Sequence, residues 1–180
     1  MSVILRPWQR EDAPALRRAH ETTADLDTQF GSSDVSTDER AADFIEAHLS
    51  FGDVAKNWAV VVDGRAVGNV GLSAIERRHQ TAWAYYWLPS FARGRGYASG
   101  GLAAVSDWAH ADGIFRLELG HRVNNPASCR VAFAAGFLPE GIERQKLLYG
   151  NRRFDVEIHA RLATDPSPEL SGLTLRTSRC

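Results

Sequence analysis

The chain has 180 residues, of which 44% are hydrophobic and 24% are charged, and its formal net charge at pH 7 is -1. This composition is typical of one soluble globular domain, and it excludes a disordered chain, a collagen-like repeat and a disulfide-rich miniprotein. A nearly neutral chain lacks the overall field that attracts nucleic acid or an anionic membrane, so we expect neither as a partner.

The cysteine and histidine content predicts no metal site and no disulfide. Cys129 lies within a predicted helix and Cys180 is the last residue, while the six histidines show no metal-ligand spacing. The first residues contain no long apolar segment, and no uncharged apolar run approaches the roughly 20 residues of a membrane helix. We therefore expect a cytoplasmic location.

The first half of the chain predicts one strand, two helices and three further strands. The apolar run Val3 to Leu5 predicts the opening strand, and helical patterns follow at about 12–22 and from the capping box of Ser36 and Glu39 to His48. The polar stretch 23–35 between the two helices predicts a loop. The next strands are predicted at 58–62, 66–72 and 81–88.

The second half alternates between helices and strands before a final hairpin. Helices are predicted at 96–111 and 126–135, and strands at 115–119, 137–148 and 152–162. The fourth and fifth strands are joined through a helix and should run parallel. The sequence thus predicts an α+β domain over 1–162, with a mixed, mostly antiparallel sheet of about seven strands, about four helices and a loose tail over 163–180.

The segment 93–99, Arg-Gly-Arg-Gly-Tyr-Ala-Ser, lies between a predicted strand and a predicted helix. A helix start carries unpaired N–H groups and a partial positive charge, so phosphate is its natural ligand. The segment has no lysine for a P-loop, and the glycines at 94, 96 and 100 miss the dinucleotide spacing by one residue. It does match the pattern Arg/Gln-x-x-Gly-x-Gly/Ala, through Arg93, Gly96 and Ala98.

This arrangement resembles the GCN5-related N-acetyltransferase (GNAT) superfamily, in which that pattern forms the pyrophosphate loop for acetyl-CoA. Asn125-Pro126-Ala127-Ser128, followed by Gly136-Phe137, is similar to the family's next signature. The opening Leu5-Arg6-Pro7 with Asp12, and the closing hairpin 141–162, look most like the RimJ/RimL-type branch, which acetylates N-terminal amines of ribosomal proteins. The resemblance covers about 4–162.

The resemblance implies that acetyl-CoA is the co-substrate and that the fourth and fifth strands splay apart to admit its pantetheine arm. A primary amine would attack directly in a ternary complex. The residues implied in cofactor binding are Trp87, Leu88, Arg93, Gly94, Arg95, Gly96, Tyr97, Ala98, Ser99, Asn125 and Ser128.

The catalytic residues depart from the family pattern at two positions. Ala132 stands where many members have a Tyr that acts as the general acid, so Ser128 is the candidate proton donor here. The alternative is that Ser128 is simply a small helix residue. Trp83 stands where relatives often carry a Glu, and Glu76 is the candidate base. Other polar candidates for the base lie near strand ends or on the last strand: His79, Asp155 and Glu157.

The acceptor is left open between a protein N-terminus and a small amine. Three acidic residues of the 23–35 stretch favour a cationic amine: Asp25, Asp27 and Asp34. The alternatives are a non-catalytic acyl-CoA-binding module and transfer of a longer acyl group such as succinyl. The chain is expected to be a monomer or a homodimer.

Overall fold

The computed structural model describes residues 2–31, 33–170 and 172–176. The strands are β1 (Val3–Pro7), β2 (Lys56–Val62), β3 (Arg65–Glu76), β4 (Thr81–Trp87), β5 (Arg116–Arg122), β6 (Leu138–Tyr149), β7 (Arg152–Leu162) and β8 (Thr174–Leu175). The helices are α1 (Ala13–Glu21), α2 (Asp27–Phe30), α3 (Asp38–His48), α4 (Tyr97–Ala111) and α5 (Pro126–Ala134). The predicted α+β class is confirmed.

The strands form one sheet in the order β6-β7-β5-β4-β3-β2-β1-β8. Neighbouring strands are antiparallel except at β4–β5 and β1–β8, which are parallel. The β4–β5 pairing covers only Thr81 to Trp83 against Arg116 to Glu118, although both strands continue beyond it. The two strands therefore separate after Trp83, as predicted, and the sheet opens at its centre.

Each face of the sheet is covered by helices and carries its own apolar core. Trp58, Val70 and Leu117 belong to the core beneath α4, where Gly101 lets the helix approach closely, because a Cβ there would lie 2.8 Å from Val70 Cγ2. Leu16 and Trp87 belong to the second core, beneath α1 and α3. None of the described helices combines the length and apolarity needed to span a bilayer.

The stretch 23–35 is more ordered than the loop that its polar residues predicted. Leu26, Phe30 and Val35 are at most 4% exposed and anchor a short 3₁₀ turn and α2 against the second core. The start of α3 also differs by one residue, because the hydroxyl of Thr37, rather than that of Ser36, accepts the Arg40 N–H at 3.2 Å.

Part of the segment 163–180, for which a loose tail was predicted, returns to the sheet. Thr174–Leu175 form β8 beside β1, and Arg176 N–H donates to Leu5 O at 2.8 Å. Leu173 N–H also donates to Gly100 O of α4 at 3.1 Å. Cys180 lies outside the described residues, so the expected absence of a disulfide to Cys129 stays a prediction.

Candidate active site

A cleft of about 810 Å³ occupies the gap between β4 and β5 and reaches both faces of the sheet. On one side it is lined by the turn before α4 and by α5; on the other it is lined by α2, the aromatic side of β4 and the β6–β7 hairpin. The strand edges that face the gap are unpaired after Trp83, so their backbone groups are available to a bound molecule. The cleft is therefore open to ligands from both faces of the sheet.

The turn before α4 has the conformation of an anion-binding site. Gly94 and Gly96 have φ angles of +72° and +77°, which ordinary residues rarely adopt, and a Cβ at either position would meet no atom within 4 Å. Gly100 N–H donates to Gly96 O at 2.9 Å, so the amides of Ala98 and Ser99 precede this first backbone bond of the helix. Gly94, Gly96 and residues 97–99 line the cleft.

The two arginines of this turn, Arg93 and Arg95, were both implied in cofactor binding, but they have different surroundings in the structure. The Arg93 guanidinium forms two hydrogen bonds with the Asp25 carboxylate, at 2.8 and 2.9 Å, and its Nε donates to Leu88 O at 2.8 Å. Arg93 therefore ties the end of β4 to the stretch before α2, although it still lines the cleft. Arg95 is exposed and lies outside the residues that line the cleft.

The N-terminus of α5 faces the same cleft and carries the predicted Asn125 and Ser128. The Asn125 side chain caps the helix by accepting Ser128 N–H at 3.2 Å, and Pro126 occupies the first turn. The Tyr86 hydroxyl of β4 donates to Ser128 O at 3.3 Å, which links the strand to the helix across the cleft. Burial raises the pKa of Tyr86, so this hydroxyl keeps its proton at neutral pH.

The opposite side of the cleft is aromatic and cationic. The Lys146 ammonium lies 5.2 Å from the Trp83 ring centre, and the Arg122 guanidinium lies 5.4 Å from that of Tyr149. Trp87 is 6% exposed and packs on Trp8 at 5.8 Å between ring centres. The two cations were not predicted from the sequence, because the hairpin returns to the cleft only in the folded chain.

The predicted base Glu76 does not lie in the cleft. It stands opposite Thr81, at the end of β4 where β4 and β5 are still paired, and it is absent from the cleft lining. Its carboxylate accepts the N–H groups of His79 at 2.6 Å and Arg78 at 2.7 Å, and these bonds hold the pKa of Glu76 below its usual range. Glu76 stabilises the β3–β4 turn, and a lowered pKa is the opposite of what a general base needs.

The three acidic residues expected to attract a cationic amine already have basic partners. Asp25 pairs with Arg93, Asp27 with His20 at 3.0 Å, and Asp34 with Arg40. The hydrogen bonds from Arg93 hold the pKa of Asp25 below its usual range, with a smaller contribution from the charge of Arg122. Of the three, only Asp25 lines the cleft, and its charge is compensated by Arg93.

Comparison with known proteins assigns the chain to a family. A family model described as "Acetyltransferase (GNAT) domain" matches residues 2–138, which is most of the chain. The chain therefore belongs to the GNAT family of acetyltransferases, as its glycine turn and its Asn125 segment predicted.

Two curated relatives match part of the chain. It is 30% identical over 109 residues to the ribosomal-protein-serine acetyltransferase of Escherichia coli (strain K12), and the match covers 60% of this chain and 61% of that protein. It is 34% identical over 105 residues to the probable N-acetyltransferase YjcK of Bacillus subtilis (strain 168), covering 57% and 58% of the two chains. These matches span less than two thirds of the relatives' length.

Solved structures share the fold over nearly the whole chain. RimL, a ribosomal-protein alpha-N-acetyltransferase in complex with coenzyme A, superimposes with a TM-score of 0.77 at 24% identity, covering 90% of this chain and 94% of that one. The microcin C7 self-immunity acetyltransferase MccE, in complex with acetyl-CoA and AMP, also has a TM-score of 0.77, at 19% identity, covering 89% and 92%. At these identities the likeness concerns the fold.

Proposed function

We propose that this chain transfers an acetyl group from acetyl-CoA to the N-terminal amine of a protein. The observation that carries the proposal is the cleft itself, which joins an anion-binding turn on one side of the sheet to an aromatic wall on the other. The names of the relatives, a ribosomal-protein-serine acetyltransferase among them, support the same reaction.

The diphosphate of acetyl-CoA would bind at the turn 94–99. The N-terminus of α4 carries a partial positive charge, and the two glycines leave room for phosphate oxygens to approach the backbone. Arg130 of α5 also lines the cleft and, among the described residues, makes no ion pair. It is a candidate for a further contact to phosphate. The pantetheine arm would then extend along the unpaired edge of β4 near Trp87 and Leu88, in the manner of an added strand.

The reaction forms a C–N bond between the amine and the acetyl carbonyl and breaks the C–S bond of the thioester. A backbone N–H on the free edge of β4 would stabilise the oxyanion, which is typically worth about 3 kcal/mol. Ser128, half-buried at the cleft, would pass its hydroxyl proton to the leaving thiolate and take one back from water in the cleft, so that coenzyme A leaves as a thiol. The amine's proton would leave through water at the open mouth, because the described residues place no free carboxylate beside β4.

The charges of the acceptor side favour a peptide over a polyamine. Lys146 and Arg122 stand on this side, and the carboxylate of Asp25 is neutralised by Arg93. A polyamine carries several positive charges and would be repelled by them, whereas a peptide N-terminus brings a single amine and a backbone. We therefore no longer expect the acidic stretch 23–35 to select a cationic amine.

A matched acceptor panel tests the proposal. The protein is incubated with acetyl-CoA and one of three acceptors: a peptide with a free N-terminal serine, the same peptide with a formylated N-terminus, or spermidine. Coenzyme A release is measured by chromatography and the product by mass spectrometry. We expect acetylation of the free peptide only. Tight acetyl-CoA binding in a parallel calorimetric titration, without transfer to any acceptor, would support the non-catalytic alternative. Faster turnover when succinyl-CoA replaces acetyl-CoA in the same panel would support the longer acyl donor.

A further inference from the structure

Four side chains with metal-binding atoms converge beside α5, although the sequence spacing of the histidines predicted no metal site. They are His121 of β5, Cys129 of α5, and Glu157 and His159 of β7. We call them the donor cluster. Their ligand atoms all lie within 4.8 Å of one another. Because they come from three separate elements, no linear spacing reveals them.

Four distances between donor atoms of the cluster are close to those of a tetrahedral site. His121 Nε2 and His159 Nε2 are 3.1 Å apart, and Glu157 Oε2 lies 3.3 Å and 3.0 Å from them. Cys129 Sγ lies 3.8 Å from the same carboxylate oxygen, and within 4.8 Å of both imidazole nitrogens. Around zinc, bond lengths of 2.0 to 2.3 Å place neighbouring donor atoms about 3.2 to 3.8 Å apart. A small inward movement of the thiol would therefore complete the separations that a bound zinc ion imposes.

The other nitrogen of each imidazole orients its ring for this purpose. His121 Nδ1 lies 3.0 Å from Arg122 O, and His159 Nδ1 lies 3.4 Å from Phe137 O. Because a carbonyl only accepts, the tautomer with the hydrogen on Nδ1 satisfies each of these contacts, and that tautomer leaves a lone pair on Nε2. Metal-binding histidines are held in this way, with the second N–H on a carbonyl or carboxylate.

The centre of the cluster consequently gathers acceptors that need a shared cation. Two imidazole lone pairs and a carboxylate oxygen meet there, and His159 is fully buried while His121 is 7% exposed. A proton on one ring is one solution, since its Nε2–H would then bridge to the other ring or to Glu157. A divalent ion would satisfy all three acceptors. It would also bind the sulfur of the neighbouring Cys129, whereas a shared proton would leave that sulfur without a role.

We infer that the donor cluster is a zinc site with Cys129, His121, His159 and Glu157 as its four ligands. Two imidazoles, a thiolate and a carboxylate suit zinc better than magnesium or calcium, which prefer oxygen alone. Four protein ligands leave no open position, so the ion would have a structural role. It would attach α5, and with it Ser128 and Asn125 at the cleft, to β5 and β7.

Zinc and cobalt binding to the untagged full-length protein tests the inference without any acetyl transfer, so its outcome is independent of the proposed function. The Cys180→Ser variant is the reference, because Cys129 is then the only thiol in the chain. We expect one zinc per chain by elemental analysis, a rise in melting temperature with zinc, and a thiolate-to-cobalt absorption band with strong tetrahedral bands after cobalt substitution.

Ligand variants assign the site. Cys129→Ser should lose the thiolate band, and His159→Gln should weaken zinc binding at least about tenfold, whereas the exposed control His79→Gln should change neither. Substoichiometric zinc in the reference protein, or cobalt spectra without a thiolate band, would overturn the inference and leave a shared proton as the explanation of the geometry. The cobalt spectrum of the Cys180→Ser protein tests the inference even if a ligand variant fails to fold.

Discussion

Placing a negative charge at Gly96 should weaken acetyl-CoA binding by electrostatic repulsion. Gly96 has a φ angle of +77°, so any side chain costs about 1 kcal/mol of strain, which Gly96→Glu and the isosteric control Gly96→Gln share. Only the glutamate adds charge. Two unit charges 4 Å apart interact by about 4 kcal/mol near a protein surface and about 1 kcal/mol in water, so we take about 2 kcal/mol for this open turn.

This energy corresponds to a dissociation constant about 30-fold higher for Gly96→Glu than for Gly96→Gln. Isothermal titration calorimetry with acetyl-CoA measures both constants, and urea unfolding checks that the two variants lose the same stability. Equal dissociation constants for the two variants would show that the diphosphate lies elsewhere.

Four further variants test single residues. Ser128→Ala should lower kcat about 100-fold with little change in the acetyl-CoA dissociation constant, if Ser128 is the proton donor; an unchanged kcat would exclude it. Asn125→Ala removes the cap of α5 and should cost about 1 kcal/mol in urea unfolding; no loss would show that the cap is dispensable. Asp25→Asn should cost less than about 1 kcal/mol, because the pair with Arg93 is exposed. Since the folded state lowers the pKa of Asp25, this loss of unfolding free energy should be complete above about pH 4 and should disappear at lower pH as the carboxylate protonates. A loss that grows on acidification would contradict the pairing. Glu76→Gln should leave kcat unchanged, and a large fall would return Glu76 to the reaction.

The sequence predicted the sheet, the turn before α4 and the start of α5 because their signals are local. The glycine turn and the Asn125 cap each lie within a few residues, and both carry a conformational requirement that side-chain type reveals. The order of strands and helices followed from periodicity, and the parallel β4–β5 pair followed from the intervening helix.

The features that were missed depend on contacts between distant segments. Arg93 was expected to face phosphate, but Asp25, 68 positions away, takes its guanidinium. The buried side chains of Leu26 and Phe30 order a stretch whose polar neighbours suggested a loop. The donor cluster likewise joins β5, α5 and β7, so neither its membership nor its geometry is visible along the chain.

Amide hydrogen exchange with and without saturating acetyl-CoA shows where on the sheet the co-substrate binds. We expect slower exchange in peptides that cover the turn 94–99 and the free edge of β4 at 84–88, with no change in α1 at 13–21. Unchanged exchange at 94–99, or protection confined to other segments, would contradict the proposed binding of the co-substrate across the opened sheet.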